Sequence, residues 1–280
     1  MDLGLGQCRQ VGWDGHVPRD PSQRGRRLVK ARASRLLERC AVRSSRLVLL
    51  STALARAEEP SPGRIVGRVR LAGAPPGLRP PIAATVDPAA CGTEIPDESL
   101  LVDHDGGVAN AVVVVRGVVA GAPAEPPEAL VDNARCRFIP RVQVVTRGQS
   151  VRVRTSDPIL HNAHPVLVAE PEVSVANLAL AVPGQTMDLT RRLAAALPPT
   201  GEALVRLGCD VHPWMRGWLV VLDHPRAAVT GTDGRFAIAT VPPGSYTLAL
   251  WHEVLGRTER PVAVPPGGSV SVDFGLPPGR

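Results

Sequence analysis

From Glu58 onward the chain is broken into short apolar runs by Pro- and Gly-rich turns, and that punctuation points to an all-β fold. Val66, Val69 and Leu71 belong to a run that ends at Gly73-Ala74-Pro75-Pro76. Ala111–Val115 is a continuous run rich in β-branched residues, as expected of a strand buried on both faces. Val142–Thr146 and Val151–Thr155 flank Arg147-Gly148-Gln149-Ser150, the signal of a hairpin. Val151, Val153 and Thr155 alternate with Arg152 and Arg154, so one face should be buried and the other wet. An Asp233-Gly234 turn separates Val229 from Phe236 and Ile238. Pro242-Pro243-Gly244 and Pro265-Pro266-Gly267-Gly268 lead into further strands, Ser245–Trp251 and Ser269–Phe274. Short strands at about 8–12-residue spacing predict β-sandwiches, and 280 residues suffice for two. Asp188–Leu197 could form a helical turn, and residues 121–128 read as a linker. Aromatics are only 3%, so Val, Leu, Ala and Ile must fill the cores.

The net charge of +6 suggests a nucleic-acid partner until its location is considered. Residues 1–57 hold 12 of the 32 Lys and Arg and 4 of the 26 Asp and Glu. The rest carries 20 basic against 22 acidic residues, so the folded part is not expected to bind nucleic acid. Residues 43–57 (RSSRLVLLSTALARA) have a basic start, an apolar stretch Leu47–Ala55 and a small-x-small end. That is the pattern of a secretory signal peptide cleaved after Ala57, placing the mature chain in a periplasm or outside the cell. A short buried helix is the alternative. The stretch is too short to span a bilayer, and no transmembrane segment is expected elsewhere. Residues 1–42 are polar, Arg-rich and unpatterned, and a start codon assigned too early, with translation beginning near Val42, would account for them. Charged residues follow Arg26-Arg27, which argues against a twin-arginine signal.

Export changes how the five cysteines read. Cys8 and Cys40 precede the expected cleavage point, leaving Cys91, Cys136 and Cys209. In an oxidising compartment two should pair and one remain. A Cys91–Cys136 disulfide leaves Cys209 free; a pairing that used Cys209 would abolish the site described next.

Cys209, His212 and Met215, in the run CDVHPWM, place a thiolate, an imidazole and a thioether within seven residues. With a second imidazole they make a His₂Cys trigonal set with a weak axial Met, the donor set of blue copper. Cu(I) prefers sulfur and low coordination, whereas Cu(II) prefers nitrogen and square geometries, so a rigid intermediate site suits both. Zinc takes Cys and His but not Met. Iron–sulfur clusters need more cysteines. A dinuclear copper site would need a second cysteine near Cys209.

About fifty residues upstream runs Ser156-Asp157-Pro158-Ile159-Leu160-His161-Asn162-Ala163-His164. Phe138-Ile139-Pro140, Gly148, Asp157, His161-Asn162, Cys209, His212, Met215 and Gly217 together resemble the cupredoxins over roughly residues 128–222. The short C-x₂-H-x₂-M loop with Pro213 is most similar to the amicyanins. The resemblance implies a Greek-key sandwich holding one copper per chain on His161, Cys209, His212 and Met215. His161 is favoured over His164 by its position before Asn162, which by the same resemblance ties the two ligand loops together. It also implies an electron carrier with an unidentified redox partner, its electron port at a surface-reaching His212 ringed by Pro213, Trp214 and Trp218. Two features depart from the family. Leu207 stands where an aromatic is usual, and the segment between His161 and Cys209 is Pro-rich.

The flanks resemble a different sandwich, the carboxypeptidase regulatory-like (transthyretin-like) fold. The matching residues are Ala228-Val229-Thr230, Asp233-Gly234-Arg235-Phe236, Val241–Leu248, and upstream Gly63–Val69 with Asn110–Val113. Residues 60–127 and 223–280 can therefore join into one smaller sandwich with residues 128–222 inserted, or form separate modules. Trp251-His252-Glu253 with His224 is a second donor cluster, expected to be ordinary surface or interface. No nucleophile–base set, phosphate loop or open zinc pattern stands out, so an enzyme is not expected. A copper chaperone or store is the alternative to electron transfer, and a carbohydrate-binding or adhesion module with a vestigial metal site is a third reading.

Overall fold

A computed structural model describes residues 60–73, 79–118 and 126–278, and the expectations for residues 1–42, for the signal peptide at 43–57 and for most of the 121–128 linker lie outside them. The fold is all-β, in two sandwiches. Among the described residues no helix is long and apolar enough to cross a membrane.

The central sandwich faces a six-stranded sheet against a four-stranded one. The larger sheet runs Val173–Ser174, His161–Leu167, Ala203–Gly208, Arg216–Leu222, Val142–Thr146, with Leu178–Leu180 also on the His161–Leu167 strand. The smaller runs Thr186–Asp188, Val151–Thr155, Ala129–Ala134, Arg137–Ile139. Val131, Val153, Leu180, Val205 and Leu219 fill the space between them. The turn at Gly148, where φ is +84°, does not close a hairpin. It sends Val142–Thr146 and Val151–Thr155 into opposite sheets, because each finds a parallel partner elsewhere, Arg216–Leu222 and Ala129–Ala134. Asp188–Leu197 contains a short helix, Thr190–Ala196, which buries Leu193.

The second sandwich draws on both ends of the described chain. Gly63–Leu71 pairs with Arg235–Val241, Ser269–Ser271 and Phe274–Leu276. Val112–Arg116 lies between Ala227–Val229 and Gly244–His252, and the last of these pairs on with Gly256–Val264. Ile65, Val113, Val115, Ile238, Leu248 and Phe274 form this core. Gly234 is demanded by close approach, since a Cβ there would sit 2.3 Å from the Val69 carbonyl oxygen at a φ of +75°.

The unbroken Val112–Val115 run now has its cause. Val113 and Val115 face their own sandwich, while Val112 and Val114 pack with Val142, Val220, Leu222 and Trp251 between the two sandwiches. Trp218 meets Trp251 there edge-on, ring centroids 5.2 Å apart.

Candidate metal centre

Strand register assembles the centre. Ala203–Gly208 pairs antiparallel with Arg216–Leu222, Gly208 opposite Arg216, so residues 209–215 form the connecting loop. That loop carries Cys209, His212 and Met215, and the Met215 amide donates to the His212 carbonyl at 2.9 Å to close it. On its other edge Ala203–Gly208 pairs with His161–Leu167, which brings the start of that strand beside the loop. The donor atoms of His161, Cys209 and His212 lie within 4.8 Å of one another. The two imidazole centroids are 4.6 Å apart. Both histidines are 0% exposed, Met215 2% and Cys209 5%.

A carboxylate meets the outer nitrogen of each imidazole. His161 Nε2 lies 2.9 Å from an Asp157 carboxylate oxygen, and His212 Nε2 lies 3.0 Å from one of Asp87. An ionised carboxylate only accepts, so the tautomer that completes each of these bonds has its proton on Nε2 and its lone pair on Nδ1. Asp157 also accepts the backbone amides of Arg135 and Cys136 at 2.7 and 2.8 Å. Burial, the largest influence, holds the His161 imidazole below its ordinary range, opposed by the hydrogen bond to Asp157. His161 is thus a neutral ligand-ready base. Its Nδ1 is buried with no hydrogen-bond partner among the described residues, an arrangement costing about 1–3 kcal/mol unless something binds it. His212 Nδ1 faces Cys209 Sγ at 3.7 Å, and the Asn162 amide donates to that sulfur at 3.5 Å. Two imidazoles and a shielded thiol that converge, on a loop that also carries Met215, fit a soft or borderline ion with sulfur affinity.

The other predicted residues fall as follows. Asn162 accepts the Asp210 amide at 2.6 Å and donates to Asn177 and Asp210 side chains, so it bridges the two loops. His164 turns away, bonding Asp210 at 3.0 Å and Ser174 at 2.9 Å. Its side chain is half-exposed and it stands outside the converging group. Cys91 and Cys136 form a disulfide, and among the described residues Cys209 is free and buried. His252 Nδ1 accepts the amides of Val254 and Leu255. Glu253 pairs with Arg141 at 2.6 Å, and His224 Nδ1 accepts the Arg226 amide at 3.2 Å, so the second donor cluster is used up structurally.

One expectation is corrected. His212 was to reach the surface; instead its ring is fully buried. The residues around 82–102 lie over that face of the loop. Ala84, Ile95 and Cys136 pack there with Cys91, Ile159 and Trp214. Pro213 stays exposed, while Trp214 is half-buried, donates to the Cys136 carbonyl at 3.2 Å and stands 5.2 Å from the His212 ring. Sequence reasoning missed Asp87 altogether. The expected Cys91–Cys136 link was the one signal that could have brought its neighbourhood here.

No family model and no curated protein matches the chain. Among solved structures it is similar to a copper-containing nitrite reductase from Thermus scotoductus SA-01, at 20% identity and a TM-score of 0.26, over 37% of this chain and 24% of the reductase. The chain thus spans about a quarter of that protein's length. It is similar to an amicyanin variant in its Cu(I) form at 22% identity and a TM-score of 0.26, over 39% of this chain and 97% of amicyanin. A purple cupredoxin from Nitrosopumilus maritimus matches at 18% identity and a TM-score of 0.26, over 33% and 98%. Similarity at this level decides nothing about what the chain binds.

Proposed function

We propose that this protein is an exported mononuclear copper protein that carries electrons to or from a partner protein, without turnover of its own. His161, Cys209 and His212 would hold the ion, with Met215 as weak axial ligand. The observation that carries the reading is the orphaned Nδ1 of His161, a buried imidazole with a donor atom within 4.8 Å of those of a free cysteine and a second imidazole. Copper held there supplies one-electron transfer between Cu(I) and Cu(II). The protein's own part is rigidity: the loop is closed by backbone and spliced to the adjacent strand through Asn162, so the ligands need not move when charge changes.

The full chain expressed with export and purified should contain one copper per molecule and absorb strongly in the visible when oxidised. Cys209→Ser should lose that absorption and bind Cu(II) at least about tenfold more weakly. Absence of stoichiometric copper, or unchanged colour in Cys209→Ser, defeats the proposal. Storage is the second reading, favoured by the burial of His212. Copper that leaves the protein on each reduction would select storage; copper that cycles without loss selects electron transfer.

A further inference from the structure

The outer edge of His212 is met by a carboxylate from 125 residues upstream. Asp87 adopts a left-handed backbone, φ 48° and ψ 47°, and its carbonyl accepts the amides of Ala90 and Cys91 at 3.0 and 2.9 Å. Cys91 is covalently bound to Cys136, and the Cys136 amide donates to Asp157, the carboxylate that holds His161. One frame therefore grips both imidazoles from outside. Its two ends differ. Asp157 is largely buried, at 13% exposure, whereas Asp87 is 42% exposed and is carried by a segment outside the sheets that build the centre.

We propose that Asp87 is a positioning residue for the metal centre, fixing the His212 tautomer and, with Asp157, making both imidazoles richer donors that favour the divalent over the monovalent ion. This rests on the copper reading above. The physical ground is direct. A carboxylate accepting the Nε2 proton draws it outward and leaves more electron density on Nδ1. Two carboxylates and a thiolate also place negative charge around the ion, and that charge stabilises the more positive state more. A bare packing role for the 82–102 segment would need neither the carboxylate nor its aim at Nε2.

Asp87→Asn and Asp87→Ala in the full chain separate these roles. Asn keeps an acceptor and the shape but removes the charge; Ala removes all three. The reduction potential of the copper-loaded protein should rise in both, by about 59 mV for each tenfold loss of preference for Cu(II) over Cu(I). Affinity of the metal-free protein for Co(II) should fall by about 10- to 100-fold in Asp87→Ala. Nitrogen NMR of the metal-free wild type should find His212 protonated at Nε2, kept in Asp87→Asn and mixed in Asp87→Ala, with the melting temperature of Asp87→Asn unchanged. Wild-type potentials in both variants, or a wild-type His212 protonated at Nδ1, would overturn the proposal. If the wild type takes up no copper, the copper reading fails, and the tautomer and Co(II) measurements still decide the role of Asp87.

Discussion

His252 shows how little a histidine's neighbours in sequence say about its task. Beside Trp251 and Glu253 it resembles a ligand, yet its Nδ1 accepts two backbone amides and the residue is 1% exposed. Burial, the leading cause, pushes its pKa below the ordinary 6.5. The unfolded chain therefore binds this proton more readily than the folded one. That stability is fully present above about pH 6.5 and falls as acid is added, levelling off below the lowered folded value. Denaturant stability of His252→Gln should accordingly vary less than the wild type's between about pH 7.5 and 5; an equal slope would place the acid sensitivity elsewhere. The same scale explains what could be read of the centre. Cys209, His212 and Met215 were legible because seven residues of one loop hold them together whatever the rest does. His161 became legible through a family resemblance, and the structure brings it into the group while turning His164 aside. Asp87 was not legible, because no local pattern tells a turn carboxylate that its partner lies 125 residues away.

Among the elements, the run Ala111–Val115 was legible as doubly buried because its four consecutive valines can satisfy only apolar surroundings on both faces. Its partners were not, since strand pairing depends on register across the whole sheet. The Gly148 turn misled for that reason: a turn sets where the chain reverses, while the edges available decide which sheet receives each strand. The 82–102 segment was the least legible, having only the two-residue strands Ile82–Ala83 and Glu94–Ile95 and the one-turn helix Pro88–Cys91. With so little ladder of its own it depends on the Cys91–Cys136 bond, which spans 45 residues. Replacing both cysteines by Ala should cost about 2–4 kcal/mol of global stability. It should also raise amide exchange in this segment more than in the Ala203–Gly208 strand. Uniform change across both would mean that the segment is held by its other contacts.

At the scale of the molecule, Val113 pairs with Ala228 and Leu250, and Ile65 pairs with Ile238. The flanking sandwich is thus woven from chain on both sides of the central one. Salt bridges from Arg116 and Arg257 to Glu202, the first at 2.6 Å, stitch the two together. Residues 223–280 expressed alone lack the Gly63–Leu71 and Val112–Arg116 strands. They should give the circular dichroism of an unfolded chain and regain structure when a peptide covering residues 60–118 is added; a cooperative melt of the fragment alone would refute this interdependence.

The pairing of Ile65 with Ile238 also imposes an order in time. As the chain leaves the ribosome, Gly63–Leu71 emerges first of the described strands, yet every partner it has in a sheet begins at Arg235 or later. Until then only its Val69–Leu71 end can be met, by Gly106–Val108, and the rest of its edges are open to the wrong neighbour. The central sandwich, complete by Leu222, can collapse meanwhile on contacts of shorter separation. The first described strand in the chain thus has its sheet partners last in the chain, after the central sandwich has all of its strands.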